Sequence, residues 1–247
     1  MKKVLCYFLT CFVLFAAQPT TKVGGSAKTK TGGTGTTKVA GLAAAPAGFA
    51  EVTHLVYSPN GGSSTTSNID TTGAKIIIVA VGTYTLWQPS ALVDSFSNTW
   101  TKLTVTPPDD NRLVFYYCIN PIVGSGHNFT PTLAPNPTDY SFIGVLAFSC
   151  GTTPTFHSEN GAVSVTSQPG AVTPAVNGSL VVSATYRYSS GPSPTCNLGF
   201  TYYGVAYSGS IGAGGIGYLV QVTAAAINPT WNTSTQSFAT NIADFAP

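Results

Sequence analysis

The side chains able to do chemistry in this 247-residue chain are few: three histidines, His54, His127 and His157, and eight carboxylates. One segment, His157-Ser158-Glu159, holds a base, a hydroxyl and an acid together. A hydrolytic site needs nucleophile, base and orienting group to converge in space, and neighbours on an extended chain point to opposite sides, so no triad is expected there. Asp109 and Asp110 stand side by side in a Pro-flanked turn, where an Asp caps its own backbone. A glycosidase needs two carboxyls about 5 to 9.5 Å apart across a cleft, and no spacing here sets that up. None of the histidines has a partner at zinc spacing. Asp94, Ser95 and Asn98 place three oxygen-bearing side chains in one turn, whereas calcium takes about six to eight oxygens. An Asx-type hairpin turn is the simpler reading, and Asp94 and Asn98 stand as the weak metal candidates. The run Gly209–Gly217, GSIGAGGIG, has strand-forming residues on either side and no helix to receive a phosphate, so it reads as a flexible β–β loop rather than a dinucleotide loop. No catalytic residue and no cofactor is expected, and the chain is not read as an enzyme.

Aromatic residues offer a better case. Tyr186 and Tyr188 share one face of a strand with Arg187 on the other, and Tyr202, Tyr203, Tyr207 and Tyr218 follow. Tyrosines at the rim of a β-sandwich stack on sugar rings while Asn, Ser and Arg bond the hydroxyls. The expected ligand site is the sandwich end bearing Ser189–Leu198, with Tyr188, Tyr202, Arg187 and Asn197 as its residues and a glycan or cell-surface polymer as its partner. Asn128, Asn177 and Asn232 each begin an N-glycosylation pattern.

The elements that must position these residues read as strands throughout. Arg112–Thr130, RLVFYYCINPIVGSGHNFT, reads as a central hairpin: Leu113–Ile119 is apolar on both faces, and Gly126–Thr130 returns antiparallel to it after the Asn-Pro and Gly-Ser-Gly turn. Lys75–Val81 is a β-branched run for a buried central strand. Further strands are expected at Val52–Tyr57, Thr99–Val105, Asp139–Ser149, Val163–Thr166, Ser179–Tyr188, Gly199–Ala206, Gly217–Thr223 and Gln236–Phe245. No stretch keeps a 3.6-residue period, and no exact internal repeat marks a propeller or solenoid. Two tandem immunoglobulin-like domains divided near Asn136-Pro137 would fit the length, but the long strands and unbroken composition favour one large antiparallel sandwich. If Lys75–Val81 and Phe142–Ser149 are covered on both faces within one chain, a monomer is expected, and the sequence does not itself fix the oligomeric state.

Composition sets the compartment. Met1-Lys2-Lys3 followed by apolar Val4–Ala17 has the shape of a secretory leader, 1–17, and is too short for a transmembrane anchor. Residues 18–46 are Thr, Gly, Lys and Ala without an aromatic and form a flexible tether carrying four lysines. Residues 47–247, the domain, hold four basic residues against eight acids, 4 − 8 = −4, which argues against nucleic acid as a partner. The domain keeps Cys118, Cys150 and Cys196. If the strands alternate in direction, Cys150 and Cys196 follow strand ends at the same end of the sandwich, so they are the expected disulfide.

Asp94-Ser95, Asn98-Thr99-Trp100, Leu113–Tyr117, Ile143–Ser149, Val172-Thr173-Pro174, Asn177–Val182 and Ala239–Phe245 together resemble a group of bacterial and phage-associated extracellular β-sandwich modules. The resemblance implies a concanavalin- or laminin-G-type jelly roll, makes calcium at the Asp94 turn worth testing, and brings no assigned activity. The group carries Gly before the Asn of that turn, where this chain has Ser97. The reading that follows is a secreted or cell-surface, non-catalytic recognition module. A building block of an extracellular or virion-like assembly comes second, and a glycan hydrolase third.

Overall fold

The structure, a computed structural model, describes residues 48–58, 65–84, 89–104, 111–132, 141–187, 192–205, 213–232 and 238–247. The expected leader and tether, and Tyr188, lie outside them. All belong to one compact unit, Ala44–Pro247. Among the described residues there are strands and no helix. The first seven strands are β1 (Ala50–Tyr57), β2 (Ile76–Tyr84), β3 (Ala91–Asp94), β4 (Thr101–Lys102), β5 (Asn111–Ile119), β6 (Phe129–Thr132) and β7 (Ser141–Ser149). The second seven are β8 (Thr155–Ser164), β9 (Ser179–Arg187), β10 (Thr195–Cys196), β11 (Thr201–Val205), β12 (Ala213–Gln221), β13 (Trp231–Asn232) and β14 (Phe238–Ala246).

The two sets repeat one topology. The first builds an antiparallel sheet in the order β1-β7-β2-β5-β4, the second an antiparallel sheet in the order β8-β14-β9-β12-β11, and each adds a two-stranded ribbon, β3–β6 or β10–β13. A single bridge recurs beside each ribbon, Ile69 to His127 and Val172 to Ile227. Pairing register fixes the equivalences: Ile78 opposes Tyr117 in one half and Val182 opposes Tyr218 in the other, so the two tyrosines correspond. Even the bulges recur, at Val52 in β1 and at His157 in β8.

Alternation explains the layers. Ile76, Ile78 and Ala80 of β2 and Leu180, Val182 and Ala184 of β9 meet in one core between the large sheets. Ile77, Val79 and Val81 turn outward and are covered by Leu92 and Phe129 of the first ribbon. On the second sheet Val181 and Ile242 turn outward beneath Val172, Phe200 and Ile227. With each Ile or Val worth about 1.5–3 kcal/mol when fully buried, strands apolar on both faces are stable only where both are covered. Close approach of the sheets depends on missing side chains: the ring of Tyr186 lies on Gly82, Phe142 lies on Gly214 and Ile216 on Gly144, each where a Cβ would collide.

Several expectations are corrected. Phe129–Thr132 pairs with β3, not with Leu113–Ile119, because β2 and β4 already occupy both edges of β5. Asn120 and Gly126, at φ 51° and 83°, belong to the connection that leads to the outer ribbon instead of closing a hairpin. The strand expected at Val163–Thr166 runs over Thr155–Ser164. The described part of the glycine run is not a loop: Ala213–Gly217 is strand, and Gly214 and Gly215 receive the rings of Phe142 and Trp231. The halves divide at Cys150–Pro154, not near Asn136-Pro137, and they share a core. Among the described strands the chain passes between the large sheets only at that division, so the alternation of strands between sheets that marks a jelly roll is not the order found. The expected disulfide is not formed: Cys118, Cys150 and Cys196 are free thiols. Cys150 packs in the core between the sheets, while Cys196 packs with Phe200 and Val172 on the outer face of the second sheet, so a sheet stands between them.

Candidate functional site

The Asp94 turn is built as a hydrogen-bonded cap. Asp94 Oδ1 accepts from the backbone N–H of Phe96 at 2.8 Å and of Asn98 at 3.2 Å, and Oδ2 accepts from Trp100 Nε1 at 2.8 Å. Asn98 Oδ1 accepts from Ile122 N at 2.6 Å, and Ser95 Oγ accepts from Asn128 N at 3.1 Å. These oxygens thus accept hydrogen bonds from the turn and its neighbours, the pattern of an Asx-type cap. Ser97 sits at φ 59°, in the left-handed region that glycine adopts most readily. Behind the turn His127 is fully buried, its Nδ1 2.9 Å from Thr71 Oγ1 and its Nε2 3.6 Å from Asp94 Oδ1. The order Thr71, His127, Asp94 resembles a triad, but Thr71 and His127 have no solvent access and serve packing. Burial holds the His127 pKa below its ordinary value despite the opposing pull of Asp94.

His157 and Ser158 do converge, which strand alternation did not predict. The bulge at His157 lets both reach the buried Asp244 carboxylate: His157 Nδ1 lies 3.1 Å from Oδ1, and Ser158 Oγ donates to Oδ2. Here the acid sits between serine and histidine, whereas a hydrolase places the histidine between serine and acid. Glu159 joins the sheets instead, accepting from Thr104 N at 3.0 Å and Thr104 Oγ1 at 2.7 Å.

At the equivalent edge of the first half, Glu51 of β1 accepts from Tyr203 OH of β11 at 3.0 and 2.9 Å. His54 Nδ1 lies 2.7 Å from Glu51, and its ring stacks on Tyr203 at 3.4 Å. Burial pushes the Glu51 carboxyl up, but hydrogen bonds from Tyr218, His54 and Tyr203 outweigh it and hold its pKa below the ordinary value. Burial, reinforced by Glu51, raises the Tyr203 hydroxyl. Among the described residues no three His, Cys, Asp or Glu side chains gather into a metal-binding group.

The outer face of the second half carries a cleft of about 480 Å³ lined by Val165, Thr166, Ser167, Thr195, Cys196, Asn197, Thr230, Trp231 and Asn232. The ribbon β10–β13 forms one wall. Trp231 is 1% exposed, fixed by Nε1 donating to Ser183 Oγ at 3.0 Å and packed over Gly215. Tyr202, 40% exposed, stands edge-on to Trp231 at 6.4 Å. Burial pushes the Cys196 thiol up to about 12, so the lining is uncharged at neutral pH.

Of the four expected ligand residues, Asn197 lines this cleft and Tyr202 stands beside its Trp231 wall. Arg187 is 2% exposed with its guanidinium 5.0 Å over the Phe238 ring, so it cannot meet a ligand, and Tyr188 lies outside the described residues. Tyr186 is core. Sequence reading missed Thr195, Thr230 and Trp231, which have no periodic signal because β10 and β13 are two residues long. No known protein family, curated protein or solved structure matches the chain. No helix among the described residues is long and apolar enough to cross a membrane.

Proposed function

We propose that this protein is an exported, non-catalytic recognition module whose two facing sheets form a β-sandwich and whose outer cleft takes a carbohydrate. The observation that carries the reading is the cleft lining: hydroxyls and amides without a charged group, mounted on a sheet covered on both faces, with one exposed tyrosine at its side. Its volume lies in the ordinary range for small-ligand sites, about 300–1,000 Å³. Export rests on the leader Met1–Ala17. Hydrolysis has little support, because Glu51, Asp94 and Asp244 each spend their oxygens on protein donors.

A glycan array probed with the mature chain tests the reading. Tyr202→Ala should weaken the strongest signal by about 1–3 kcal/mol, the usual loss when a stacking ring is removed, with the fold retained because Tyr202 is 40% exposed and lies outside the core clusters. An array without any signal would remove carbohydrate from the account, and light scattering that shows a stable oligomer would turn attention to the assembly role.

A further inference from the structure

The cleft has a polarity that its hydrogen bonds impose. Asn197 Oδ1 accepts from the backbone N–H of Thr230 at 2.8 Å. A backbone N–H can only donate, so the amide is oriented with its oxygen toward Thr230 and its NH2 elsewhere. Asn197 is exposed and lines the cleft, and among the described residues its Nδ2 has no partner. Thr230 reinforces the pattern, because its Oγ1 accepts from Gln168 Nε2 at 2.8 Å, which leaves its own O–H to donate. Asn197 and Thr230 thus each present an occupied acceptor and a donor turned to the cleft.

Resting on the reading of a carbohydrate site, we infer that the cleft selects uncharged saccharides, with the Asn197 amide nitrogen and the Thr230 hydroxyl donating to hydroxyl or acetamido oxygens of the sugar. Neutrality follows from the lining. A uronate brought into the cleft would leave water without meeting a cation, a desolvation that two neutral donors do not offset. A neutral sugar oxygen loses only one water partner and gains an oriented N–H.

Asn197→Asp is the discriminating variant. It keeps the oxygen that accepts from Thr230 N and replaces the donor with a carboxylate oxygen. Binding is measured by calorimetry on the mature chain against neutral trisaccharides of glucose, galactose, mannose and N-acetylglucosamine, with trigalacturonate as the anionic counterpart. The expected result is that at least one neutral trisaccharide binds the parent protein, trigalacturonate does not, and Asn197→Asp loses at least about tenfold in affinity while melting as the parent does. Equal binding of trigalacturonate would overturn the neutrality. Undiminished binding by a folded Asn197→Asp would overturn the role of the amide, and if Tyr202→Ala still weakened that binding, the carbohydrate reading would stand without it. If Asn197→Asp lowers melting, the comparison of neutral with anionic ligand on the parent still decides the neutrality. No binding by any trisaccharide would sink both this inference and the reading beneath it.

Discussion

The two halves of the domain share a strand order, a bulge and an outer ribbon, yet they fill equivalent places with opposite chemistry. Under the first ribbon lie Asp94, His127, Trp100 and Phe129; the corresponding places under the second hold Cys196, Ile227, Phe200 and Trp231. At the sheet edge the exchange repeats. In the first half Glu51 meets Tyr203 and Tyr218, whereas in the second Phe156 stacks on Tyr117 at 5.7 Å. At the bulge the polarity reverses, with Val52 and Ala147 in the first half against His157 and Asp244 in the second. One backbone plan therefore tolerates either a hydrogen-bonded polar cluster or an apolar one. The Asp94 network is one way of closing a cap and not a requirement of the fold. The cap that is closed with apolar groups is also the one beside the open cleft.

This comparison breaks first at Asp94. Asp94→Ala removes the acceptor of the part-buried N–H groups of Phe96 and Asn98 and of the Trp100 indole, and at about 1 kcal/mol net for each lost hydrogen bond a loss of about 3 kcal/mol is expected in urea unfolding. Cys196→Ala at the equivalent place removes only packing and should cost about 1 kcal/mol. Similar losses from the two would mean that the Asp94 cluster is not the anchor of its cap. Next come the glycines that admit the opposite sheet's rings. Gly82→Ala and Gly214→Ala should each destabilise by about 1–3 kcal/mol through overpacking, against Tyr186 and Phe142 respectively. If either variant keeps the parent stability, the sheets do not interlock as closely as the structure has them.

The smallest effect is a pH dependence that separates the two polar clusters. The folded pKa of His127 is lowered, so the unfolded chain takes up its proton first and stability falls as pH drops below the ordinary value, 6.5. The folded pKa of Glu51 is also lowered, so its contribution is present above the ordinary value, 4.5, and is lost as pH falls through the lowered one. His127→Ile, copying Ile227, should flatten the stability profile between about pH 7 and 5, while Glu51→Gln should flatten it only below about pH 5. Melting curves across pH 3–8 that show no difference between the variants would put the acid sensitivity elsewhere.

Local composition settled a good deal of this molecule. β2 and β9 were legible because a run such as Ile76–Val81 has no polar face to give to water, so it must be strand with cover on both sides. Turn chemistry made Asp94–Asn98 readable as an Asx cap, since the carboxylate bonds N–H groups two and four residues away along the chain. The duplication was not legible, because equivalent positions carry Asp or Cys, His or Ile, Glu or Phe, and only pairing register relates them. The hairpin at Gly126–Thr130 was misread for a related reason: a turn shows that the chain reverses, but which strand edge remains open depends on segments far away, here β2 and β4. Alternation along β8 hid the meeting of His157 with Ser158, which a bulge set by pairing with β14 brings about. The cleft stands furthest from the sequence. Thr166, Asn197 and Trp231 lie in three separate segments and share no pattern, so their proximity was decided by the tertiary structure, in which the β10–β13 ribbon packs on the outer face of the second sheet.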